Sequence, residues 1–280
     1  MSTRLSINGK DVPLNGIVRL KGKGKFKAAR LMYFLLKTLN QMPRLYGITS
    51  HDPIETWRMN FESKFGSILT SQVEPGRIKL EGQFSLDMEK FIIRGKATEG
   101  GVSVSVELLK KPENVPQGIR GMVEVDSFYF ADLKRPKPLF VPGSKDGILA
   151  GFHRFLVLQA ENASGVPKTL GIVSEFINSI VLPHGYSTTL RGKRLTTDEK
   201  EGLFLDGEPL YNVDPKLLSL LSMSLALEMS SEDSILIIED PEAHLDNEDL
   251  RELTELFARF KGTLILATDY EFPSESSIEL

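Results

Sequence analysis

The sequence predicts an α/β fold with a buried parallel sheet, and three kinds of segment support this prediction. Two short apolar runs, residues 235–238 and 263–267, have the length and composition of strands that are buried on both faces. Residues 28–41 carry apolar side chains at helical spacing. Residues 77–108 instead alternate apolar and polar side chains, which is typical of antiparallel strands. A parallel sheet, its covering helices and a separate antiparallel region are therefore expected.

The remaining elements follow from the same patterns in chain order. Residues 17–20 predict a short first strand ahead of the helix at 28–41. Trp57, Phe61 and Phe65 are spaced four apart, which favours the buried stripe of a helix over a surface that stacks nucleic-acid bases. Antiparallel hairpins are expected from residue 77 to about residue 130. Apolar helices are expected at 147–182 and 218–229.

Two carboxylates directly follow the most apolar strand. Glu239 and Asp240 end the run at 235–238, and further acids come after them. In open α/β folds ligands bind at the carboxyl edge of the sheet, where two carboxylates are suited to hold Mg²⁺ and orient a water. The alternative is an acidic turn in which Asp246 or Asn247 caps the next helix. The metal-binding interpretation is favoured, because burying two adjacent acids at the end of an apolar strand is energetically unfavourable unless a cation or another partner compensates them.

Residues 235–246 resemble the Walker B strand and D-loop of ATP-binding-cassette type ATPases. The similarity is to the branch that includes chromosome-maintenance, double-strand-break-repair and overcoming-lysogenization-defect nucleases, and it lies in an apolar run, two acids and Pro-Glu-Ala-His-Leu. It implies a P-loop NTPase fold, in the form of an ATPase head with an antiparallel β subdomain and a helical lobe. It also implies that Glu239 is the Mg²⁺-side acid, Asp240 the general base and Asp246 a D-loop acid facing a partner subunit. The order Glu then Asp reverses the commoner order of these acids.

The resemblance places a phosphate-binding loop between the strand at 17–20 and the helix at 28–41. Residues 22–29 occupy the frame G-x-x-x-x-G-K-[ST], in which Gly22 alone matches. Lys27, Ala28 and Ala29 stand at the second glycine, the phosphate-binding lysine and the metal-ligating hydroxyl. Both side-chain contributions to triphosphate and metal binding are thereby lost. The alternative is that Lys23, Lys25 or Lys27 supplies the charge from another direction, because the segment is still rich in lysine and contains Gly24.

Two further family positions are altered. Asp214 and Pro215 stand where the family's signature motif has its serine and glycine, and they are predicted to cap and begin a helix. A carboxylate at this position repels a triphosphate. After the strand at 263–267, Asp269 replaces the histidine that senses the γ-phosphate in the family. With the loop, three nucleotide-facing sites are altered, two of them toward negative charge.

The composition is that of an average soluble globular protein. The chain has 280 residues, 41% of them hydrophobic, and no cysteine, which excludes disulfides and thiolate metal sites and fits a reducing compartment. No run approaches the length of a membrane span, so a cytoplasmic protein is expected. Residues 1–140 carry a net charge of +9 and residues 141–280 a net charge of −13. Complementary halves favour mutual packing or contact between subunits, and a basic half also suits nucleic acid.

These expectations combine into one functional hypothesis with two alternatives. The chain is predicted to be a single ATPase-type head, with the loop, first helix and β subdomain at about 1–140, the helical lobe and signature helix at about 141–230, and the Walker B strand, D-loop and last core strand at about 231–280. ATP and Mg²⁺ are expected to bind weakly or not at all. The head is expected to be a non-hydrolysing or weakly hydrolysing subunit that pairs with itself or a related ATPase subunit in a complex that handles DNA. The alternatives are an active Mg²⁺-dependent ATPase with an unconventional lysine-rich loop, and a nucleic-acid-binding module.

Overall fold

The computed structural model describes residues 3–42, 52–73, 80–131, 136–152, 154, 171–184, 188–198 and 202–280. The chain divides into two compact units. Unit 1 comprises Met1–Leu14, Arg30–Lys137 and Leu280, and unit 2 comprises Asn15–Ala29 and Pro138–Glu279. Helices and several sheets are present, which confirms the predicted α/β class.

The described strands, in chain order, are β1 (Arg4–Ile7), β2 (Lys10–Val12), β3 (Ile17–Lys21), β4 (Gly82–Asp87), β5 (Phe91–Thr98), β6 (Gly101–Leu108), β7 (Lys137–Val141), β8 (Thr189–Leu190), β9 (Lys193–Asp198), β10 (Gly202–Leu205), β11 (Glu208–Pro209), β12 (Ser234–Glu239), β13 (Thr263–Ala267) and β14 (Ser276–Glu279). The described α-helices are α1 (Lys25–Gln41), α2 (Pro53–Val73), α3 (Gly118–Phe130), α4 (Lys145–Ala150), α5 (Gly171–Phe176), α6 (Pro215–Glu228) and α7 (Asn247–Ala258).

Unit 1 contains an antiparallel five-stranded sheet in the order β2-β1-β4-β5-β6. The tight turn between β1 and β2 is formed by Asn8 and Gly9, which have φ angles of 52° and 75°. Asn and Gly tolerate this left-handed backbone, which two-residue hairpin turns require. The hairpins predicted in this region are confirmed for β4, β5 and β6. The prediction that they continue to about residue 130 was wrong, because residues 118–130 form α3, an amphipathic helix with a buried face.

The core of unit 1 is built on α2. Trp57, Phe61 and Phe65 are fully buried, which confirms the predicted core stripe. The rings of Trp57 and Tyr129 of α3 stack with centroids 4.3 Å apart. Burying an indole N–H requires a hydrogen-bond acceptor, and Trp57 Nε1 donates to the buried Asp126 Oδ1 at 3.3 Å. The aromatic stripe therefore serves packing rather than base stacking.

Unit 2 contains the predicted parallel sheet, in the order β14-β3-β13-β12-β7. The strand β12 is parallel to β13, and β13 and β14 are both parallel to β3. All six residues of β12 and all five of β13 are buried, as their apolar composition predicts. The expectation that 263–270 contains the last core strand is corrected, because β14 follows it and pairs with β3.

A second sheet in unit 2, in the order β11-β10-β9-β8, was not predicted from the sequence. Its two tight turns lie at Arg191-Gly192 and Asp206-Gly207, where all four residues have positive φ angles. An Asp-Gly pair between short strands is a strong hairpin signal. In the region predicted as helices at 147–182, the structure describes most of α4, then α5 and a helical continuation through Ile177–Val181 and Leu182–His184. Residues 155–170 of that prediction lie outside the described residues.

Candidate functional site

Three parallel strands of unit 2 end at the same edge of the sheet. The register pairs Glu239 of β12 with Ala267 of β13, and Ala267 with Leu20 of β3. Two backbone hydrogen bonds extend this row, from Asp240 N to Ala267 O and from Thr268 N to Leu20 O, each at 3.1 Å. The residues that follow these strands therefore emerge side by side, as the placement of the acids in the sequence predicts.

The segment between β3 and α1 is a short turn, which corrects the expected eight-residue loop at 22–29. The turn contains Gly22, Lys23 and Gly24, and α1 begins at Lys25, three residues before the predicted helix start. No residue between Lys25 and Ala28 breaks a helix, so the helix extends back to the glycines. A turn of three residues is shorter than the loop that wraps a triphosphate in a P-loop.

Because α1 begins at Lys25, residues 25–29 lie in a helix and not in the expected phosphate-binding loop. Ala28 is 3% exposed and Ala29 is 0% exposed, so both methyl groups lie in the core. Lys23 and Lys27 are exposed. The lysine that turns inward is Lys25, which is buried and lies over the ring of Phe26 with its Nζ 4.7 Å from the ring centroid. Of the three lysines weighed from the sequence, Lys25 is the one that the structure places at the edge of the sheet.

Lys25 is paired with Asp269, the residue where the family resemblance leads us to expect a histidine. Its Nζ donates to Asp269 Oδ2 at 2.6 Å. The backbone N–H of Gly22 donates to Asp269 Oδ1 at 3.4 Å. These interactions, led by the hydrogen bond from Lys25, lower the pKa of Asp269 below its ordinary value of 3.8. The carboxylate thus occupies the Lys25 ammonium and the N–H group of Gly22.

The two acids at the end of β12 differ in exposure, because Glu239 is buried and Asp240 is half-buried. Glu239 is 1% exposed, and its Oε2 accepts a hydrogen bond from the N–H of Gly143 at 3.2 Å. Burial raises the pKa of Asp240 above 3.8, Lys145 opposes this rise, and the Glu239 carboxylate adds to it. Asp240 has a φ angle of 42°, an uncommon backbone conformation for a residue with a side chain. Glu239 and Asp240 therefore lie in contact with residues 143–145, which follow β7.

Lys145 completes the group of charges at this edge, and sequence reasoning did not single it out. It is the first residue of α4 and is 0% exposed. Its Nζ donates to the backbone oxygen of Asp240 at 2.7 Å. Burial lowers the pKa of Lys145 to about 8, and the nearby carboxylates, led by Asp240, oppose this shift. The available signal was its position directly after a strand and a Pro-Gly-Ser turn, at the same edge as the acids.

The predicted signature and D-loop residues form a second group. Asp214 caps α6, accepting from the N–H of Lys216 at 2.8 Å, and Pro215 is the first residue of that helix, as predicted. Asp246 caps α7 in a reciprocal arrangement with Asp249, which is the capping alternative weighed for this turn. Lys216 joins the two helix starts, with Nζ 2.6 Å from Asp246 Oδ2 and 2.9 Å from Asp249 Oδ2. Asp214 and Asp246 therefore each cap the helix that follows them.

The residues at the sheet edge do not fit a divalent cation in the way the family resemblance implies. The buried ammonium of Lys145 donates to the backbone oxygen of Asp240, next to the acids that would bind Mg²⁺. One oxygen of Glu239 is already bound by a backbone N–H. Among the described residues, no group of three or more His, Asp or Glu side chains is arranged to hold a metal ion. A cation from the chain itself is present instead.

No protein-family model matches this sequence, and no curated protein is significantly similar to it. Among solved structures, the chain is similar to the recombination mediator protein RecF, in a structure titled RecF-ATPrS in the RecFOR pathway. The match covers 100% of this chain and 97% of that chain, with a TM-score of 0.42 and 9% sequence identity. At this TM-score the similarity carries no argument, so the proposals below rest on the residues of this chain. In the part of the chain that the structure describes, no helix is both long and apolar enough to cross a membrane.

Proposed function

We propose that this chain is a degenerate P-loop-type ATPase head that does not hydrolyse ATP and acts as a binding subunit. The parallel order of β3, β13 and β12 supports this, because the turn before α1 and the acid pair lie at one edge of the sheet. The observation that carries the proposal is the 2.6 Å contact between Lys25 and Asp269. This contact supports the proposal, because the carboxylate engages the lysine that follows the turn before α1 and so opposes binding of a phosphate there.

The charges of the site support a non-hydrolysing head over an active ATPase. A nucleotide would have to displace Asp269 from Lys25 and would meet the exposed Asp269 carboxylate, which repels phosphate oxygens. The turn Gly22–Gly24 offers few N–H groups in compensation, and Gly22 N–H is already engaged. Catalysis of phosphoryl transfer relies on neutralising the terminal phosphates, which this arrangement does not do.

The partner of this subunit follows from the same reasoning. A head without its own turnover acts through contacts with other subunits, so we propose a second copy of this chain or a related ATPase subunit as its partner. The opposite net charges of residues 1–140 and 141–280 favour such head-to-tail contacts. Sedimentation at several protein concentrations tests for self-association. A monomer at all concentrations would leave a related subunit as the partner.

Steady-state hydrolysis of Mg-ATP by the purified chain tests the proposal. The expected rate is that of buffer, and it is expected to be the same for Glu239→Ala. Turnover by the natural chain that is lost in Glu239→Ala would contradict the proposal and establish the active ATPase. Turnover that is unchanged in Glu239→Ala would indicate a contaminating enzyme, and a separate preparation would remove it.

Nucleic-acid binding is a second candidate function, and one surface of unit 1 favours it. A groove of about 490 Å³ crosses the sheet of unit 1, and its lining includes Arg94 and Lys96 together with serine hydroxyls. Its lining contains no acidic residue, although Arg94 is also paired with the nearby Glu107. Cations and hydroxyl donors on one face can contact phosphates without reading sequence.

Retention on DNA at increasing salt tests this second candidate. Binding through phosphates is expected to weaken steeply with salt and to be reduced in Arg94→Glu/Lys96→Glu. The exposed Lys10→Glu/Lys111→Glu variant is a charge-matched control outside the groove lining. No retention at low salt, or retention that is the same in all variants, would exclude a role for this groove.

A further inference from the structure

A fully buried lysine lies beside the acid pair at the end of β12. Lys145 is 0% exposed and begins α4, directly after the turn Pro142–Ser144 that follows β7. Lysine is almost never fully buried unless a partner of opposite charge is close. The groups around its ammonium therefore indicate its role.

The ammonium of Lys145 is held against Asp240. Its Nζ donates to the Asp240 backbone oxygen at 2.7 Å, and Asp240 itself adopts a left-handed backbone with a φ angle of 42°. Such a conformation persists only where surrounding contacts maintain it. The bond from Lys145 and the bond from Asp240 N to Ala267 O are two contacts that do so.

The acids around Lys145 come from two segments of unit 2. Glu239, Asp240 and Glu242 lie in or just after β12, and Asp146 is the next residue along α4. All four carboxylates favour the charged form of the lysine. The ammonium therefore lies in a region of net negative charge, with its direct hydrogen bond to the backbone oxygen of Asp240.

The turn before Lys145 closes the space next to the acids. The N–H of Gly143 donates to Glu239 Oε2 at 3.2 Å. A Cβ atom at position 143 would lie 3.0 Å from Asp240 Oδ2, so the backbone of this glycine lies close against the second carboxylate. The chain thus covers the acids with a peptide group and an ammonium.

We propose that the Lys145 ammonium is a built-in cation that neutralises Glu239 and Asp240 and takes the place of a divalent metal ion at this edge of the sheet. The inference rests on the proposed function, because it explains how the buried Glu239 and the half-buried Asp240 are compensated in a head that does not use Mg-ATP. An uncompensated buried carboxylate is strongly unfavourable. Loss of the lysine should therefore convert the acid pair into a site that attracts a metal cation.

Binding of Mn²⁺ to the natural chain and to Lys145→Met, measured by equilibrium dialysis, tests this inference. The natural chain is expected to show no saturable binding that depends on Glu239. Lys145→Met is expected to bind Mn²⁺ at least about tenfold more tightly than the natural chain. That gain is expected to disappear in Lys145→Met/Glu239→Gln. Lys137→Met, at the exposed start of β7, is the control and should behave as the natural chain does.

Thermal unfolding of the same variants gives an independent readout. Lys145→Met is expected to unfold at a lower temperature than the natural chain, and adding Glu239→Gln should raise the unfolding temperature again by removing one of the nearby negative charges. If Lys145→Met alone does not fold, folding of the double variant supports the inference, and failure of both leaves the Mn²⁺ result for the natural chain to decide. Glu239-dependent Mn²⁺ binding by the natural chain, or a Lys145→Met variant as stable as the natural chain, would overturn it. Mn²⁺ binding without ATP turnover would overturn this inference and leave the proposed function intact.

Discussion

Lys25 and Asp269 lie 244 positions apart in the chain, yet the lysine Nζ donates to the Asp269 carboxylate at 2.6 Å. The parallel pairing of β3 with β13 brings them together, because Lys25 follows the first strand and Asp269 follows the second. The side chain of Lys25 is 11% exposed, whereas that of Asp269 is 70% exposed. The surrounding core therefore holds Lys25 in place. Asp269 is exposed, so its carboxylate can be replaced with little effect on packing.

Replacing Asp269 with asparagine should create affinity for phosphate. The change keeps the shape of the side chain and removes the negative charge that engages Lys25 and Gly22 N–H. The buried ammonium and the free N–H are then expected to attract an anion. Calorimetric titration with inorganic phosphate should show saturable heat for Asp269→Asn and none for the natural chain.

Asp206→Asn is the matched control for this titration. Asp206 lies in the turn between β10 and β11 with a φ angle of 56°, a conformation that asparagine also tolerates. The control removes the same charge at a hairpin turn and should leave phosphate binding absent. If Asp269→Asn and Asp206→Asn behave alike, the carboxylate of Asp269 does not block the site.

The pH dependence of stability should show the Asp269 interaction in acid. Because the folded-state pKa of Asp269 is lowered, the folded state binds fewer protons than the unfolded state near pH 3.8, so stability must fall as the pH falls. The contribution is fully present well above pH 3.8 and is lost as the pH drops through the lower folded-state value. Urea unfolding of the natural chain and Asp269→Asn measures it.

The difference in unfolding free energy between the two proteins should be constant near neutral pH and shrink below pH 3.8. High salt should also reduce the difference, since the carboxylate is exposed. A difference that grows in acid would show that Asp269 is not stabilised in its charged form.

Substituting Asp214 should destabilise the start of α6. Its carboxylate accepts from the N–H of Lys216, and Pro215 occupies the first helical position. Loss of an N-cap acceptor costs about 1 kcal/mol, so Asp214→Ala should lower the free energy of unfolding by about that amount. Asp214→Ser retains an acceptor and should recover most of the loss, as measured by urea unfolding. Equal stability of the alanine and serine variants would argue against the cap.

A methyl group at Gly95 should destabilise unit 1. A Cβ atom there would lie 2.3 Å from Phe84 Cζ and 2.5 Å from the backbone oxygen of Ser103. Neither contact is sterically allowed, so the strands and the ring must shift, at about 1–3 kcal/mol. Gly100→Ala is the control, because its Cβ would meet nothing closer than 3.9 Å. Thermal unfolding of both variants decides the point, and equal midpoints would contradict the packing of Phe84 on Gly95.

The central elements of unit 2 could be predicted because they depend on local composition. The strands β12 and β13 consist of apolar residues that suit burial on both faces, and Asp214 and Asp246 lie where helix caps are expected. The helix α1 begins at Lys25 and not at the predicted Ala28, because Lys25, Phe26 and Lys27 include no helix breaker and lysine is a good helix former.

The charges that define the site could not be read from the sequence. Lys145 is far along the chain from Glu239 and Asp240, and its burial depends on how the turn after β7 closes over them. The pairing of Lys25 with Asp269 likewise needs the strand order of the sheet. The turn at Asp206-Gly207 is different, because its hairpin signal was present in the sequence and was not used.

Determining the structure of the chain in the presence of magnesium and a non-hydrolysable ATP analogue tests the account most directly. The account predicts that Lys25 stays bonded to Asp269 and Lys145 to Asp240, with no nucleotide against the turn Gly22–Gly24. An ordered magnesium nucleotide seated on that turn, with Asp269 displaced from Lys25, would contradict it.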